Sequence, residues 1–380
     1  MKKIVIDARL YGLKHAGIGR YITNLLKAIK VLKKDYQFQL LVSQKDLAVV
    51  KKELGDFYQY YPLKSAHYSL KEQWEIKQFL EQIKPDLVHF PHFNLPLLYS
   101  GKYVVTIHDL IKHFFKGRAT TTKRPLVYWP KYLAYRLLVK RAVMKARAVI
   151  VPTFWWQEKL ADFYKIKKSQ IFVTHEGVDE FFLKKGDRFL TAERKLLKKY
   201  GLTNKDFLIY TGSVYPHKNI ARLIKALKQI DKKEVFLAVV CARSVFSKRL
   251  EQMAKRLKMD SRVKFLGFVP DQELVVLYQQ ALALVQPSLM EGFGLTGLEA
   301  MACGCPVVSS NTTCLPEVYG KAVLYFDPLD EREIKKAILK ILNNPISRKK
   351  LIDLGRKQAA KFSWAKTAEK TIKVYQKALN

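Results

Sequence analysis

The sequence predicts an α/β protein with two doubly wound parallel sheets, one in each half of the chain. Short β-branched or apolar runs alternate with longer helical patterns through all 380 residues. Runs of this kind are typical of parallel strands that are covered by helices on both faces. A middle stretch of about thirty residues without a strand pattern separates the two sets. Because a chain of this length holds two or three domains, we expect one sheet per domain.

Each half of the chain provides six strand candidates with the apolar, β-branched content of buried strands. Those of the first half are Lys3–Asp7, Gln37–Val42, Asp86–Phe90, Tyr103–Ile107, Ala148–Val151 and Ile171–Thr174. Those of the second half are Phe207–Thr211, Val235–Val240, Val263–Leu266, Ala283–Gln286, Val307–Ser309 and Val323–Phe326. Either set suffices for one doubly wound sheet.

The domain boundaries follow from the stretch that lacks strands. We predict an N-terminal domain at 1–178, an interdomain connection at 179–205 and a C-terminal domain at 206–362. Residues 363–380 have the composition of a closing helix.

The charge balance is strongly basic. Lys and Arg number 69 against 33 for Asp and Glu, which gives a formal net charge of +36. Such a charge favours polyanionic partners, namely nucleic acid, anionic lipid headgroups or phosphorylated substrates. A lysine-rich composition spread over solvated faces is the alternative interpretation.

Cysteine usage and the N-terminus point to the cytosol. The four cysteines lack the C-x-x-C spacing of zinc or thioredoxin-type sites, so we expect small buried residues in a reducing compartment. The N-terminus meets Asp7 after three apolar residues, too few for the apolar core of a signal peptide. No uncharged apolar run approaches the ~18 residues of a spanning helix. We predict a cytoplasmic protein, and leave peripheral contact with the cytosolic face of a membrane open.

The most informative motif is the run from Glu291 to Glu299, in which two carboxylates flank a glycine turn that opens a helix. Glycines let the backbone approach a ligand, and the first N–H groups of the helix are left to bind anionic oxygens. Carboxylates accept hydrogen bonds from polyols. The motif therefore predicts a sugar-nucleotide site, with one acid directed to a donor sugar and the other to a ribose.

Three further blocks precede this motif, each after a predicted strand. They are Gly17-Ile-Gly-Arg-Tyr21, His108-Asp-Leu110, and Gly212 through Lys218-Asn219. In this order the four blocks resemble the retaining glycosyltransferases of family 4, over almost the whole chain. The resemblance implies the GT-B fold, with two facing Rossmann-like doubly wound parallel-sheet domains, and it implies that helix 363–380 packs back on the first domain.

The resemblance also implies roles for the reacting groups. The equivalent of His108 contacts the transferred sugar near the reacting carbon, which implies donor positioning and transition-state stabilisation. Lys218 would provide a charge for the leaving diphosphate. Glu291 would face the donor sugar and Glu299 the ribose. Glu291 as the nucleophile of a double displacement is one option, and a front-face mechanism is favoured; both retain anomeric configuration.

Other donor contacts are implied through backbone groups. The loop of Gly17 and Gly19 would approach the diphosphate and the acceptor; a glycine turn that serves only chain reversal is the alternative. The N–H groups of Phe293, Gly294 and Leu295 would hold the sugar and the distal phosphate, and the loop containing Val269 would border the nucleobase.

One position departs from the family pattern. Many members carry arginine directly after the glycine that is Gly212 here, and this chain has Ser213. We therefore expect the diphosphate to depend more on Lys218, on helix N–H groups, or on a neighbour such as His217 or Arg222.

No metal or other cofactor is expected. No two aspartates stand at i and i+2, so the D-x-D pair that holds a metal on the diphosphate in many other glycosyltransferases is missing. The overall pattern is most similar to mannosyltransferases of surface-polysaccharide assembly, which makes GDP-mannose the first donor to consider and a glycan or lipid-linked glycan the acceptor. Transfer of glucose or another hexose from a UDP-sugar is the alternative.

Residues 110–157 contain no acidic residue and eleven basic ones. Aromatic residues are interleaved with them, namely Phe114, Phe115, Tyr128, Trp129, Tyr132 and Tyr135. Apolar bodies beside cations suit an anionic membrane surface. In the family this part of the first domain faces the acceptor, so we expect a lipid-linked, diphosphate-bearing acceptor and peripheral membrane contact.

Other functions stay open as alternatives. A nucleotide-sugar epimerase or a sugar phosphorylase on the same fold would use a similar donor site. A basic nucleic-acid-binding protein would account for the net charge, but the chain carries no recognition-helix, zinc or RNA-binding signature, and a two-glutamate site would serve no purpose there.

Overall fold

The computed structural model describes residues 1–32, 36–65, 67, 69–117, 120–184, 193–232 and 234–380. Arg118 of the basic segment and residues 185–192 of the predicted connection lie outside these ranges. The chain divides into two compact units. Unit 1 comprises Met1–His113, Arg124–Gly177 and Ser363–Asn380, and unit 2 comprises Phe114–Lys123 and Val178–Phe362. The short segment Phe114–Lys123, which was predicted within the first domain, thus groups with unit 2.

Unit 1 contains a seven-stranded parallel sheet in the order β3-β2-β1-β4-β5-β6-β7. The strands are β1 Lys2–Asp7, β2 Tyr36–Ser43, β3 Gln59–Leu63, β4 Leu87–Phe90, β5 Tyr103–Thr106, β6 Ala148–Val151 and β7 Ile171–Val173. The helices are α1 Ala16–Leu32, α2 Leu47–Leu54, α3 Leu70–Ile83, α4 Ile111–Phe114, α5 Pro125–Lys145, α6 Phe154–Tyr164 and α16 Trp364–Leu379. The last residue of α4, Phe114, groups with unit 2.

Unit 2 contains a six-stranded parallel sheet in the order β10-β9-β8-β11-β12-β13. The strands are β8 Asp206–Thr211, β9 Val235–Val240, β10 Val263–Gly267, β11 Ala283–Gln286, β12 Val307–Ser310 and β13 Val323–Phe326. The helices are α7 Glu180–Lys184, α8 Glu193–Lys199, α9 Ile220–Lys228, α10 Val245–Arg256, α11 Asp271–Gln280, α12 Leu295–Ala302, α13 Leu315–Tyr319, α14 Glu331–Asn343 and α15 Pro345–Ala359. The fold class predicted from the sequence, with two doubly wound parallel sheets, is confirmed.

One strand of unit 1 was not predicted. β3 lies at the edge of the sheet and pairs with β2, with Leu40 opposite Tyr60 and Val42 opposite Pro62. Proline lacks a backbone donor and is confined to edge strands, and the half-buried tyrosines of β3 interrupt the continuous apolar run of a central strand. The usual strand signal is therefore weak here.

The last helix completes the core of unit 1. Trp364, Ile372 and Tyr375 of α16 are buried in the same apolar cluster as Ile4 and Ile6 of β1. Gly177 makes this packing possible, because a Cβ atom there would lie 2.2 Å from the backbone nitrogen of Trp364.

Candidate functional site

In unit 2, Glu291 follows β11 and its carboxylate lies in a ring of donors. Lys218 Nζ lies 2.5 Å from Glu291 Oε2. The Ser288 hydroxyl donates to Oε1 at 2.6 Å, and Gln286 Nε2 donates to the same oxygen at 3.1 Å. The structure thus brings together two residues that the sequence singled out, and adds Ser288 and Gln286, which it did not. Gln286 is the last residue of β11 and Ser288 lies two residues further on, and this position at the end of a buried strand was the available signal.

The electrostatics of Glu291 follow from these contacts. Burial is the largest influence and by itself raises the pKa of the carboxyl group. The charge of Lys218 and the hydrogen bonds from Lys218, Ser288 and Gln286 outweigh it and hold the pKa of Glu291 below its ordinary value. Glu291 is therefore a buried, ionised acceptor at neutral pH.

Lys218 is held by the loop between β8 and α9. The 3₁₀ turn Pro216–Lys218 ends at Asn219, whose φ of 60° is left-handed. The Asn219 side-chain amide donates to the carbonyls of Pro287 (3.0 Å) and Pro328 (2.8 Å). Because Pro287 follows β11 directly, this amide ties the lysine loop to the glutamate loop and fixes the ion pair.

Helix α12 begins at the glycine turn predicted from the sequence. Its N-cap is Gly294, with a φ of 98°, which offers no capping side chain. The first N–H groups of a helix have no partner within it and favour an anion. The backbone at Gly294 and Leu295 thus has the geometry expected for binding phosphate or sugar oxygens.

Tyr319 explains why glycine is required in this turn. A Cβ atom at Gly294 would lie 2.6 Å from the Tyr319 hydroxyl, and one at Gly297 would lie 2.2 Å from it. The same hydroxyl lies 2.6 Å from the Gly294 carbonyl and 2.5 Å from Gln286 Oε1. Tyr319 therefore links the glycine turn to Gln286 and, through it, to Glu291.

Glu299 lies within α12 and is buried. Burial, followed by the nearby charge of Glu299, raises the pKa of Tyr278 well above its ordinary value. The Tyr278 hydroxyl lies 2.8 Å from Thr211 Oγ1, at the end of β8. Tyr278 thus lies between Glu299 and the end of β8, and Gly212, which follows that strand, has a φ of 131°.

Three other predicted donor residues lie as follows in unit 2. The carbonyl of Ser213 accepts a hydrogen bond from the Tyr210 hydroxyl at 2.5 Å, while its side chain is exposed. Val269 and Phe293 have buried side chains that belong to the apolar core. Their predicted donor contacts stay predictions, and they would involve backbone atoms.

In unit 1, His108 follows β5 and both of its ring nitrogens have partners. Nε2 donates to the Pro91 carbonyl at 3.0 Å, and Nδ1 lies 3.3 Å from Glu176 Oε1. The ring of Tyr21, on α1, meets the imidazole edge-on at 4.7 Å between centroids. Glu176 was missed from the sequence, although it comes shortly after β7 just as His108 comes after β5.

The two glycines of the first motif differ in the structure. A Cβ atom at Gly19 would lie 2.0 Å from the Gly12 carbonyl oxygen, so packing alone requires glycine. At Gly17 a Cβ atom would meet nothing within 4 Å among the residues described. Chain packing thus accounts for Gly19, and the space beside Gly17 is open to a ligand.

A buried ionic cluster at the carboxyl ends of β1 and β4 was not predicted. Arg9 Nε donates to Asp7 Oδ1 at 2.7 Å, and Arg9 also pairs with Glu72 of α3. Asn94 Nδ2 donates to Glu72 Oε1 at 3.2 Å. The cluster anchors the chain that leads from β1 toward the Gly17 turn, and Asp7 at the end of the first strand was its one signal.

The aromatic residues of the basic segment do not all face solvent. Tyr128, Tyr132 and Tyr135 are half-buried, and Phe115 packs 5.4 Å from the ring of His217. Phe114 and Trp129 are exposed. The rings of the three tyrosines and Phe115 therefore contribute to packing within the protein, and the expected contact of the six rings with an interface stays a prediction.

All four cysteines are free and buried. Burial raises the pKa of Cys241 to about 11 and that of Cys305 to about 12. Within the described ranges, no set of three or more His, Cys, Asp and Glu side chains is grouped as metal ligands. Over the same residues, no helix combines the length and the apolar character that a membrane span requires.

Comparisons with known proteins point in one direction. The model of the family described as Glycosyltransferase Family 4 matches residues 15–180, and that of Glycosyl transferases group 1 matches residues 192–358. The chain is 27% identical to the O-antigen chain mannosyltransferase B of Escherichia coli, over 95% of this chain and 96% of that protein. It is 30% identical to the O-antigen chain mannosyltransferase RfbU of Salmonella typhimurium, over 68% of this chain and 65% of that protein.

A solved structure shares the fold. The Anabaena protein HepE in complex with UDP and glucose superposes with a TM-score of 0.76, at 18% identity, over 99% of this chain and 100% of that one.

Proposed function

The chain belongs to the family 4, group 1 glycosyltransferases, and from that premise we propose that it transfers mannose from GDP-mannose with retention of anomeric configuration. The proposed acceptor is a glycan or lipid-linked glycan in surface-polysaccharide assembly. The observation that carries the proposal is the Lys218–Glu291 pair beside the N-terminus of α12. A fixed cation, a buried carboxylate and free helix N–H groups together match the diphosphate and the hydroxyls of a nucleotide sugar.

Each group has a place in the proposed donor site. Lys218 and the α12 N–H groups at Gly294 and Leu295 bind the diphosphate and stabilise the charge that develops on it. Glu291 accepts hydrogen bonds from the sugar hydroxyls, and Glu299 accepts them from the ribose. His108, with the Gly17 loop, orients the transferred sugar and the acceptor.

We propose a front-face mechanism, in which the leaving phosphate helps to deprotonate the acceptor hydroxyl. Glu291 is a poor candidate for the alternative double displacement, because three donors already occupy its oxygens. Hydrogen bonds that stabilise a carboxylate lower its pKa and also its tendency to attack carbon. The carboxylate is better suited to hold the sugar than to form a covalent intermediate.

The proposed transfer needs no metal. The sequence lacks an Asp-x-Asp pair, and Lys218 with the α12 N-terminus provides positive charge where other glycosyltransferases place a cation. Activity should persist in chelator; abolition by chelator with rescue by manganese would contradict this part of the proposal.

The donor and the acceptor rest on different support. Mannose as the transferred sugar is supported by the two mannosyltransferase relatives, and GDP-mannose is the donor that the sequence resemblance favours. The UDP complex of the structural neighbour supports a UDP-hexose as the second candidate. The basic segment 110–157 supports a lipid-linked, diphosphate-bearing acceptor at the cytosolic face of a membrane.

Saturation-transfer NMR tests the donor site. The protein would be titrated with GDP-mannose, UDP-glucose, UDP-galactose and UDP-N-acetylglucosamine, and again as Lys218→Ala and Glu299→Ala. Lys225→Ala is the matched control, since Lys225 is an exposed lysine of α9 in the same unit. Selective binding of GDP-mannose, lost in the first two variants and kept in the control, supports the proposal. Binding that survives both site variants would overturn it.

A further inference from the structure

Helix α5 presents two apolar faces, and only one of them packs against unit 1. On the packed face, Val139, Ala142 and Val143 are buried, and the Tyr135 hydroxyl lies 2.9 Å from His113 Nδ1. The Tyr103 hydroxyl donates to the Ala142 carbonyl at 3.1 Å. These contacts fix the rotation of the helix about its axis.

The other face exposes large apolar side chains to water. The relative exposures are 89% for Leu126, 51% for Trp129, 61% for Leu133 and 60% for Leu137. At about 100° per residue these four positions fall within an arc of about 80°, and they extend over about 17 Å of the helix. We call them the α5 stripe. A continuous apolar stripe left in solvent marks an interaction surface.

The charged residues of α5 and of its N-cap are all basic. Exposed cations follow the helix from its N-cap to its last turn, namely Arg124, Lys131, Lys140, Arg141 and Lys145. No acidic residue occurs between positions 110 and 157. Lys140 and Arg141 lie on the same side as the stripe by helical spacing, so their long apolar stems extend it while their charges flank it.

We propose that the α5 stripe inserts into the interfacial region of an anionic lipid bilayer, with Lys140 and Arg141 on the headgroups. Aliphatic and Trp side chains on one face, bordered by Lys and Arg, are the features of helices that lie in the plane of a membrane surface. The inference deepens the proposed function, on which it rests for the lipid-linked acceptor. It makes the α5 stripe, rather than the tyrosines of the basic segment, the surface that contacts the membrane.

Charge complementarity selects lipid over a second copy of the chain. Two α5 helices face to face would bring at least five cations from each side together without a compensating carboxylate in the segment. An anionic headgroup layer supplies those countercharges along the whole helix. The α5 stripe and its flanking cations therefore fit an anionic lipid surface better than a second copy of the chain.

Vesicle flotation of the full chain tests the proposal. Vesicles of phosphatidylglycerol with phosphatidylcholine are compared with phosphatidylcholine alone, at low and high salt. Two double variants separate the apolar and the electrostatic contributions to vesicle binding. One carries Leu133→Gln and Leu137→Gln, and the other carries Lys140→Gln and Arg141→Gln. Ile346→Gln with Lys350→Gln is the control, since it removes an exposed aliphatic and a cation from α15 in unit 2.

We expect salt-sensitive binding to the anionic vesicles, at least tenfold weaker in both α5 variants and unchanged in the control. Undiminished binding of the leucine variant, or equal binding to neutral vesicles, would overturn the proposal. So would a concentration-dependent dimer, detected by light scattering without lipid, that the leucine variant abolishes. Transfer to a water-soluble acceptor should be the same in all variants. Absence of that transfer from the wild-type protein would count against the proposed function and leave the vesicle result intact.

Discussion

Lys218 and Glu291, 73 residues apart in the sequence, form a largely buried ion pair at the carboxyl ends of β8 and β11. The two strands are neighbours in the sheet of unit 2, so the parallel topology brings their loops to the same edge. The pair has a double role in the proposed site. It stabilises a carboxylate that would otherwise be unfavourable inside the protein, and it orients the lysine before a diphosphate arrives.

Replacing Lys218 by Met should affect stability as well as turnover. The variant leaves Glu291 buried without its cation, which typically costs about 3–5 kcal/mol. Loss of a preorganised charge on the leaving diphosphate should lower kcat by about 10²–10³-fold. Urea unfolding and initial transfer rates measure the two effects.

The double variant Lys218→Met with Glu291→Gln separates these effects. A neutral amide can still accept from Ser288 and requires no cation, so most of the lost stability should return while turnover stays low. A single variant as stable as the double one would show that the ion pair does not balance the buried charge.

Alanine at Gly19 and at Gly17 should change stability in opposite directions. At Gly19 the new methyl group would meet the Gly12 carbonyl at 2.0 Å, and such overpacking typically costs about 1–3 kcal/mol. Gly17 lies in α1 with open space around it, so alanine there should stabilise the helix by about 0.5–1 kcal/mol.

Transfer rates complete the comparison of the two glycines. If a ligand occupies the space beside Gly17, the more stable Gly17→Ala protein should transfer sugar more slowly. Wild-type activity in Gly17→Ala would argue for a purely structural turn. Thermal unfolding and initial rates, measured on both variants, decide the matter.

The sequence predicted the sheets well because buried parallel strands carry a strong local signal. All six strands of unit 2 and six of the seven in unit 1 were predicted within a few residues. β3 escaped because an edge strand containing Pro62 lacks that signal. Local sequence thus determined the elements that are buried on both faces.

The site was predictable in its motifs and not in its supporting contacts. Lys218 and Glu291 each follow a strand, and strand order brings them together. Tyr319, which fixes the Gly294 turn, and Glu176, which meets His108, act across 25 and 68 residues. Nothing local marks such residues, because their role arises only when the sheet is assembled. In α5, both faces of the helix carry apolar residues, so the sequence pattern could not predict which face would be exposed.

Glu176 should govern turnover through the position of His108. The carboxylate and the Pro91 carbonyl together hold both ring nitrogens, so Glu176→Ala frees one side of the imidazole. We expect kcat to fall by about tenfold or more, as misplacement of a reacting group typically does, with the KM for the donor little changed. Glu176→Gln keeps a polar partner at Nδ1 and should recover most of the rate.

A merely structural role of Glu176 predicts a different pattern. It would lower the stability of unit 1 and affect KM and kcat alike, and the glutamine variant would give no preferential recovery of kcat. Steady-state kinetics of the two variants beside thermal unfolding discriminate the two roles.

Acid should destabilise the protein well before its carboxylates are protonated, because several histidines are buried. Burial lowers the pKa of His217 and of His67 to about 4 and that of His89 to about 3. A lowered pKa means that the imidazole stays neutral in the folded state. In the unfolded state the same imidazole takes up a proton when the pH falls below the ordinary histidine pKa of about 6.5. The stability contributed by each histidine is therefore complete above that pH and decreases toward the folded pKa, at about 1.4 kcal/mol per pH unit.

His217 offers the sharpest test of this linkage. Its ring stacks on that of Tyr215 at 5.9 Å, and its Nδ1 atom is buried without a hydrogen-bond partner among the residues described, so His217→Phe keeps the stacking and removes the titration. Between pH 7 and pH 5 the wild-type protein should lose about 2 kcal/mol more than this variant. Tyr215→Phe, which changes the same stack without a group that titrates in this range, should follow the wild type. Urea unfolding at the two pH values measures the difference, and parallel losses in wild type and His217→Phe would mean that His217 is protonated in the folded state.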